Sequence, residues 1–222
     1  DSELIKYFFN QDRDATNEIY NKCSVICDYI LSNHNDYYLE IIRPDLKLFT
    51  STVADIEKNF IKYYETLINE IDPSTKDWHL NKNDKIMRRR NLQFLNSIEF
   101  IEILAREEVQ RLSSIARVKI TEEEILRFAK FILENFRFPL FIKVEIIRRI
   151  IESGYNLSKK YRSNWFWDIQ IASCVTTNKD INFIPYIFVT SDQGILKISE
   201  KNNLRDSVIS KQDYFKLLQI DL

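Results

Sequence analysis

Apolar positions along this chain fall mostly at helical spacing, with a few short continuous runs between them. Across residues 15–31, Ile19, Cys23, Ile26, Cys27 and Ile30 recur every three or four positions, which predicts a helix with one buried face. Pro44 and Asp45 mark a turn, residues 46–49 read as a short strand, and Thr50 opens a helix running towards Ile71. A long helical stretch is expected over 84–116, carried by Ile86, Leu92, Leu95, Ile98, Ile101, Leu104, Val109 and Leu112. Thr121 with Glu124 forms a capping box for a helix through Asn135. Pro139 stands near the start of another helix, which Gly154 ends. Tyr186, Ile187, Phe188 and Val189 then form a run of aromatic and β-branched side chains, the pattern of a strand buried on both faces. The run stops at Thr190, Ser191 and Asp192, and helical spacing resumes with Ile195 and Ile198. Residues 207–210 and 213–218 fit a last strand and a last helix.

A chain of 222 residues with 45% hydrophobic content can bury a sizeable core, so one domain, or one domain carrying an insertion, is expected. No apolar run approaches the roughly 18 residues that a membrane-spanning helix needs. The start carries no pattern of a secretory signal, and without an initiating Met the chain reads as trimmed. Three cysteines do not suggest a disulfide framework, which points to a reducing cytoplasm. With a net charge of −1, any nucleic-acid binding must come from a local basic patch.

Scarcity excludes several chemistries. The only glycines, Gly154 and Gly194, are too far apart for a dinucleotide fingerprint or a phosphate-binding loop. His34 and His79 are too far apart for a two-histidine zinc motif and sit in no recognisable triad context. Cys23, Cys27 and His34 lack a fourth ligand, so the thiols read as core residues. Carboxylate–metal chemistry is what remains. Asp192 lies where a buried strand gives way to a helix, the edge at which open α/β folds bind ligands. It suits capping that helix equally well. Asp168 precedes Ile171, Ala172 and Val175, so it is expected on the first turn of a helix, where the helix dipole favours an acid in any case.

An Asp heading a helix, then an apolar strand closing in Thr-Ser-Asp, then a helix, a strand and a last helix resembles the C-terminal half of a PIN domain. PIN domains are metal-dependent nucleases with a parallel sheet between helices. Asp1-Ser2 resembles the family's opening motif, and Thr52-Val53-Ala54-Asp55 its second motif, with Asp55 in a slot usually held by Glu. The resemblance covers the two ends of the chain. It implies an α/β, three-layer PIN-like fold, a single domain over 1–222, with a large all-helical insertion at 84–161. It also implies a site of Asp1, Asp55, Asp168 and Asp192.

Four carboxylates gathered at one sheet edge repel one another unless a cation sits among them. Oxygen-only ligands select Mg²⁺ or Mn²⁺, which activate water for attack on a phosphodiester. Ser2, Thr190 and Ser191 would hydrogen-bond the carboxylates or the attacking water. Basic runs at Arg88, Arg89 and Arg90 and at Lys159, Lys160 and Arg162 would grip phosphates, with the solvated helix face as the plainer alternative. RNA is the substrate that the resemblance implies, in an endoribonuclease. Room is left for an inhibitory protein partner or a second copy of the chain. The other reading is a non-catalytic module binding protein or RNA through its helices.

Overall fold

Three Ser and Thr residues early in the chain turn their hydroxyls back onto the preceding backbone. Thr50 Oγ1 donates to the Leu46 carbonyl at 2.7 Å, and Ser51 Oγ and Thr52 Oγ1 both donate to that of Leu48 at 2.9 Å. Such back-bonding lets hydroxyl residues sit inside a helix. Here they lie in a single helix, Leu46–Ile71, where a strand over 46–49 was expected. In the computed structural model the described residues are 9–10, 13–33, 46–71, 85–153, 159, 164–173, 175 and 187–219.

In chain order the described helices are α1 (Arg13–Ser32), α2 (Leu46–Ile71), α3 (Lys85–Leu95), α4 (Ile98–Ala116), α5 (Glu122–Asn135) and α6 (Arg137–Ser153). They continue with α7 (Asn164–Ala172), strand β1 (Phe188–Thr190), α8 (Gln193–Lys201), strand β2 (Val208–Ser210) and α9 (Lys211–Leu217). The expected capping box forms: Thr121 N–H donates to Glu124 Oε2 at 2.8 Å, and Glu124 N–H to Thr121 Oγ1 at 3.3 Å. The long helix expected over 84–116 is broken at Asn96 and Ser97. Ser97 Oγ donates to the Phe94 carbonyl at 2.7 Å and accepts from Phe100 N–H at 3.2 Å, closing one helix and opening the next.

The three-layer α/β fold is not what the chain forms. Helices account for 81% of the described residues. Among those residues the strands make one two-stranded parallel sheet, in register Phe188↔Val208, Val189↔Ile209 and Thr190↔Ser210. Nor is β1 a central strand buried on both faces: Phe188, Val189 and Thr190 are each only partly buried. A four-residue apolar run does not distinguish a central strand from a short edge pair or from a turn of helix.

The chain divides into two compact units, 1–59 with 107–125 and 60–106 with 126–222. In the first, Phe9, Val109, Ala116 and Ile125 are buried, while Val25, Tyr29, Leu31, Leu48, Val53 and Ile56 are exposed. The second unit is built around α6, which is apolar on most of its circumference, with Phe138, Leu140, Ile142, Ile146, Ile147, Ile150 and Ile151 all buried. α3, α7 and α8 pack against it. The α8 crossover connects the two strands and buries Ile195 and Ile198, and α9 packs on both strands. Phe138 meets Phe188 edge-on at 6.3 Å between ring centroids, joining α6 to the sheet.

Candidate functional site

At the carboxyl end of β1 the backbone turns sharply into α8. Thr190 Oγ1 accepts from Asp192 N–H at 3.0 Å. Asp192 Oδ1 in turn accepts from Gly194 N–H at 2.6 Å and Ile195 N–H at 3.0 Å. Asp192 is therefore the N-cap of α8, with extended backbone (φ −72, ψ 113) and a carboxylate at the positive end of the helix dipole. The capping role that its sequence position allowed is real.

Asp168 sits on α7, which begins at Asn164, so the acid lies one turn further in than the first-turn position expected. The buried stripe of α7 is Trp165, Ile169 and Ala172, whereas Ile171, counted on that stripe from sequence, is 52% exposed. Asp168 is partly buried. Burial, and secondarily the negative charge of Asp192, hold its carboxyl above the usual carboxylate range. The two acids of the C-terminal motif thus face a shared electrostatic environment.

A third element enters from α6. Arg149 Nε donates to Glu145 Oε1 at 2.9 Å, one turn earlier on the same helix. Its guanidinium lies over the Trp165 ring, 4.9 Å from the centroid. Asp192, Arg149 and Trp165 close in on Gly194. A Cβ there would stand 2.9 Å from Asp192 Oδ1, 3.4 Å from Arg149 Nη2 and 3.7 Å from Trp165 Cη2. Arg149 and Glu145 were not singled out from sequence. The available signal was the charged Glu145 and Arg149, four apart, within a run of buried isoleucines.

Asp1, Ser2, Lys160 and Arg162 lie outside the described residues, as does His34. Asp55 is exposed, more than two turns inside α2 rather than in a first turn, and belongs to the other compact unit. Cys23 and Cys27 lie on α1. Ser191 is exposed beside Asp192, and Thr190 orders the turn through its hydroxyl. Arg88 is partly exposed, Arg89 and Arg90 are exposed, all on α3, and Lys159 is exposed.

Among the described residues no group of three or more His, Cys, Asp or Glu side chains is arranged to hold a metal ion. Asp168 and Asp192 repel through their charges, and their oxygens are donors of the kind a hard cation takes, but two carboxylates alone fall short of such a group. No described helix is long and apolar enough to cross a membrane. Comparison with known proteins found no matching family model, no matching curated protein and no matching solved structure.

Proposed function

We propose that the chain is a metal-dependent phosphodiesterase acting on RNA in a reducing cytoplasm, with Asp168 and Asp192 as its central acids. The observation that carries this reading is electrostatic: Asp192, just past the carboxyl end of β1, adds its charge to burial in raising the Asp168 carboxyl. Isolated carboxylates gain nothing from such closeness, whereas a pair that shares a cation does. Bound Mg²⁺ or Mn²⁺ would supply an activated water and charge stabilisation at the leaving oxygen. Asp168 and Asp192 would hold the ion. Thr190 fixes the Asp192 backbone, and the cap bonds fix Oδ1, so the Asp192 carboxylate is held in one orientation. RNA as substrate rests on the resemblance.

The test is cleavage of single-stranded RNA by the purified chain in Mg²⁺ or Mn²⁺ and in EDTA. Metal-dependent cleavage lost in Asp168→Asn supports the proposal; cleavage that persists with metal verified absent refutes it. A non-catalytic binding module is the second reading, favoured by the absence of a third acid beside the pair among the described residues. It predicts RNA or protein binding without cleavage under any metal.

A further inference from the structure

α3 and α8 both end against the same turns of α6, and where they stop the packing leaves a cavity of about 160 Å³. Its walls are apolar: Leu95 from α3, Ile101 from α4, Phe141 and Val144 from α6, and Ile198 from α8. A space of about 150 Å³ between such side chains is enough to hold a benzene ring. The rim is polar and ordered. Asn96 Nδ2 donates to the Leu92 carbonyl at 2.8 Å, and its Oδ1 accepts from Arg148 Nη2 at 2.6 Å. Asn202 Nδ2 donates to the Ile198 carbonyl at 2.7 Å, and the Asn202, Asn203 and Leu204 N–H groups take up the Ile198, Ser199 and Glu200 carbonyls at the end of α8. The acceptors of the rim are thus already engaged, and its cations are in excess. Glu145 divides its carboxylate between Arg148 Nε at 3.3 Å and Arg149 Nε at 2.9 Å. Lys201, in the last turn of α8, has no ion pair among the described residues. One acid therefore stands against three cations, of which Arg148 and Lys201 line the cavity.

We propose that this cavity binds a small organic carboxylate with a ring-sized apolar body, the body against the apolar walls and the carboxylate at the Arg148 Nη groups and Lys201. An apolar body is needed because the walls favour surface that leaves water, and a bare hydrated anion gains nothing from them. A carboxylate is needed because a neutral apolar ligand would leave both cations without a partner at the mouth. Arg148 is pre-organised for the role. Glu145 and Asn96 already hold its guanidinium, and its side chain is only 17% exposed, so little freedom is lost on binding. The cavity takes none of its lining residues from the Asp168 and Asp192 site, and the inference is independent of the phosphodiesterase reading.

The experiment is saturation-transfer NMR and thermal melting of the full chain with sodium benzoate as the probe, at constant ionic strength. Benzoate should receive saturation from the protein and raise the melting temperature as its concentration rises, as a ligand of the folded state does. Benzyl alcohol, of similar size but uncharged, should bind about tenfold more weakly, the loss expected when hydrogen bonds to a charged group are removed. Inorganic phosphate, which has the charge without the apolar body, should protect less than benzoate. Arg148→Gln should weaken benzoate binding by about tenfold. Lys201→Gln, at an exposed position, should weaken it by about threefold and leave the ligand-free melting temperature near native. Ile101→Trp, which fills the cavity from its half-exposed side, should abolish binding. Benzoate that receives no saturation, or protects no better than chloride or phosphate, would overturn the proposal. Equal binding of benzyl alcohol, or native benzoate affinity in the Lys201→Gln variant, would do the same. Should Arg148→Gln or Ile101→Trp not fold, Lys201→Gln and the benzyl alcohol comparison decide.

Discussion

Thr52-Val53-Ala54-Asp55 and Thr190-Ser191-Asp192 are two short segments that bring a hydroxyl and an acid together, and they fold in opposite ways. In the first, the threonine hydroxyl donates backwards to the Leu48 carbonyl, the helix runs on, and Asp55 ends on an exposed helical surface. In the second, the threonine hydroxyl accepts forwards from the Asp192 backbone N–H, the strand stops, and the acid caps a new helix. The residues after each acid decide between the two outcomes. Ile56 and Glu57 continue the helix, whereas Gly194, with no Cβ to hold them off, lets Asp192, Arg149 and Trp165 close in around it. Where the backbone changes conformation the carboxylate is fixed as a helix cap, and where the helix runs on it stays on an exposed face.

The largest separation of the two segments is expected in catalysis. Asp192→Asn should lower metal-dependent RNA cleavage by more than about a hundredfold, since even outer-shell partners of a metal cost about 10–100-fold when removed. Asn caps a helix about as well as Asp, so the melting temperature should stay near native. Native cleavage rates in this variant would remove the distinction between the segments. Asp192→Ala deletes the cap as well and should cost about 1 kcal/mol in a denaturant melt. Exchanging the threonines gives a smaller contrast. Thr190→Ala loses the acceptor for Asp192 N–H and should destabilise by about 0.5–1 kcal/mol. Thr52→Ala should be neutral or stabilise by up to about 0.7 kcal/mol, because Ala is the better helix former. Asp55→Ala, on an exposed helix face, should change stability by no more than about 0.5 kcal/mol.

The contrast between these segments also shows what was legible in the sequence. The capping box at Thr121 and Glu124, the strand ending at Thr190 and the crossover helix after Asp192 were readable because each depends on neighbours a few residues away. Residues 46–49 were not, since four apolar positions fit a strand and a helix turn alike, and the helix forms through hydroxyl back-bonding. The three-layer sheet was what the family resemblance implied; of the two apolar runs read as strands, only the later one contains a strand. Asp168 and Asp192 were singled out because their motifs carry strand and helix signals on both sides. Arg149 was missed because its relation to Trp165 and Gly194 exists only once α6, α7 and α8 pack together.

The claim that most of this depends on is that Asp168 and Asp192 share a cation, and the titration of the Asp168 carboxyl tests it directly. Its folded pKa is raised above the ordinary aspartate value, first by burial and then by Asp192. The folded chain therefore binds the proton more tightly than the unfolded chain. Without metal, this group's contribution to stability should fall as pH rises from the ordinary value through the raised one, and stay reduced above it. Asp168→Asn should remove that loss. Carbon-13 NMR of the Asp side-chain carboxyls, with and without Mg²⁺, reads the same effect at the group itself. The account predicts an elevated Asp168 pKa in EDTA that drops when Mg²⁺ is added and drops in part in Asp192→Asn. An elevated pKa indifferent to Mg²⁺ would contradict it, leaving Asp192 a helix cap and Asp168 an acid raised only by its surroundings.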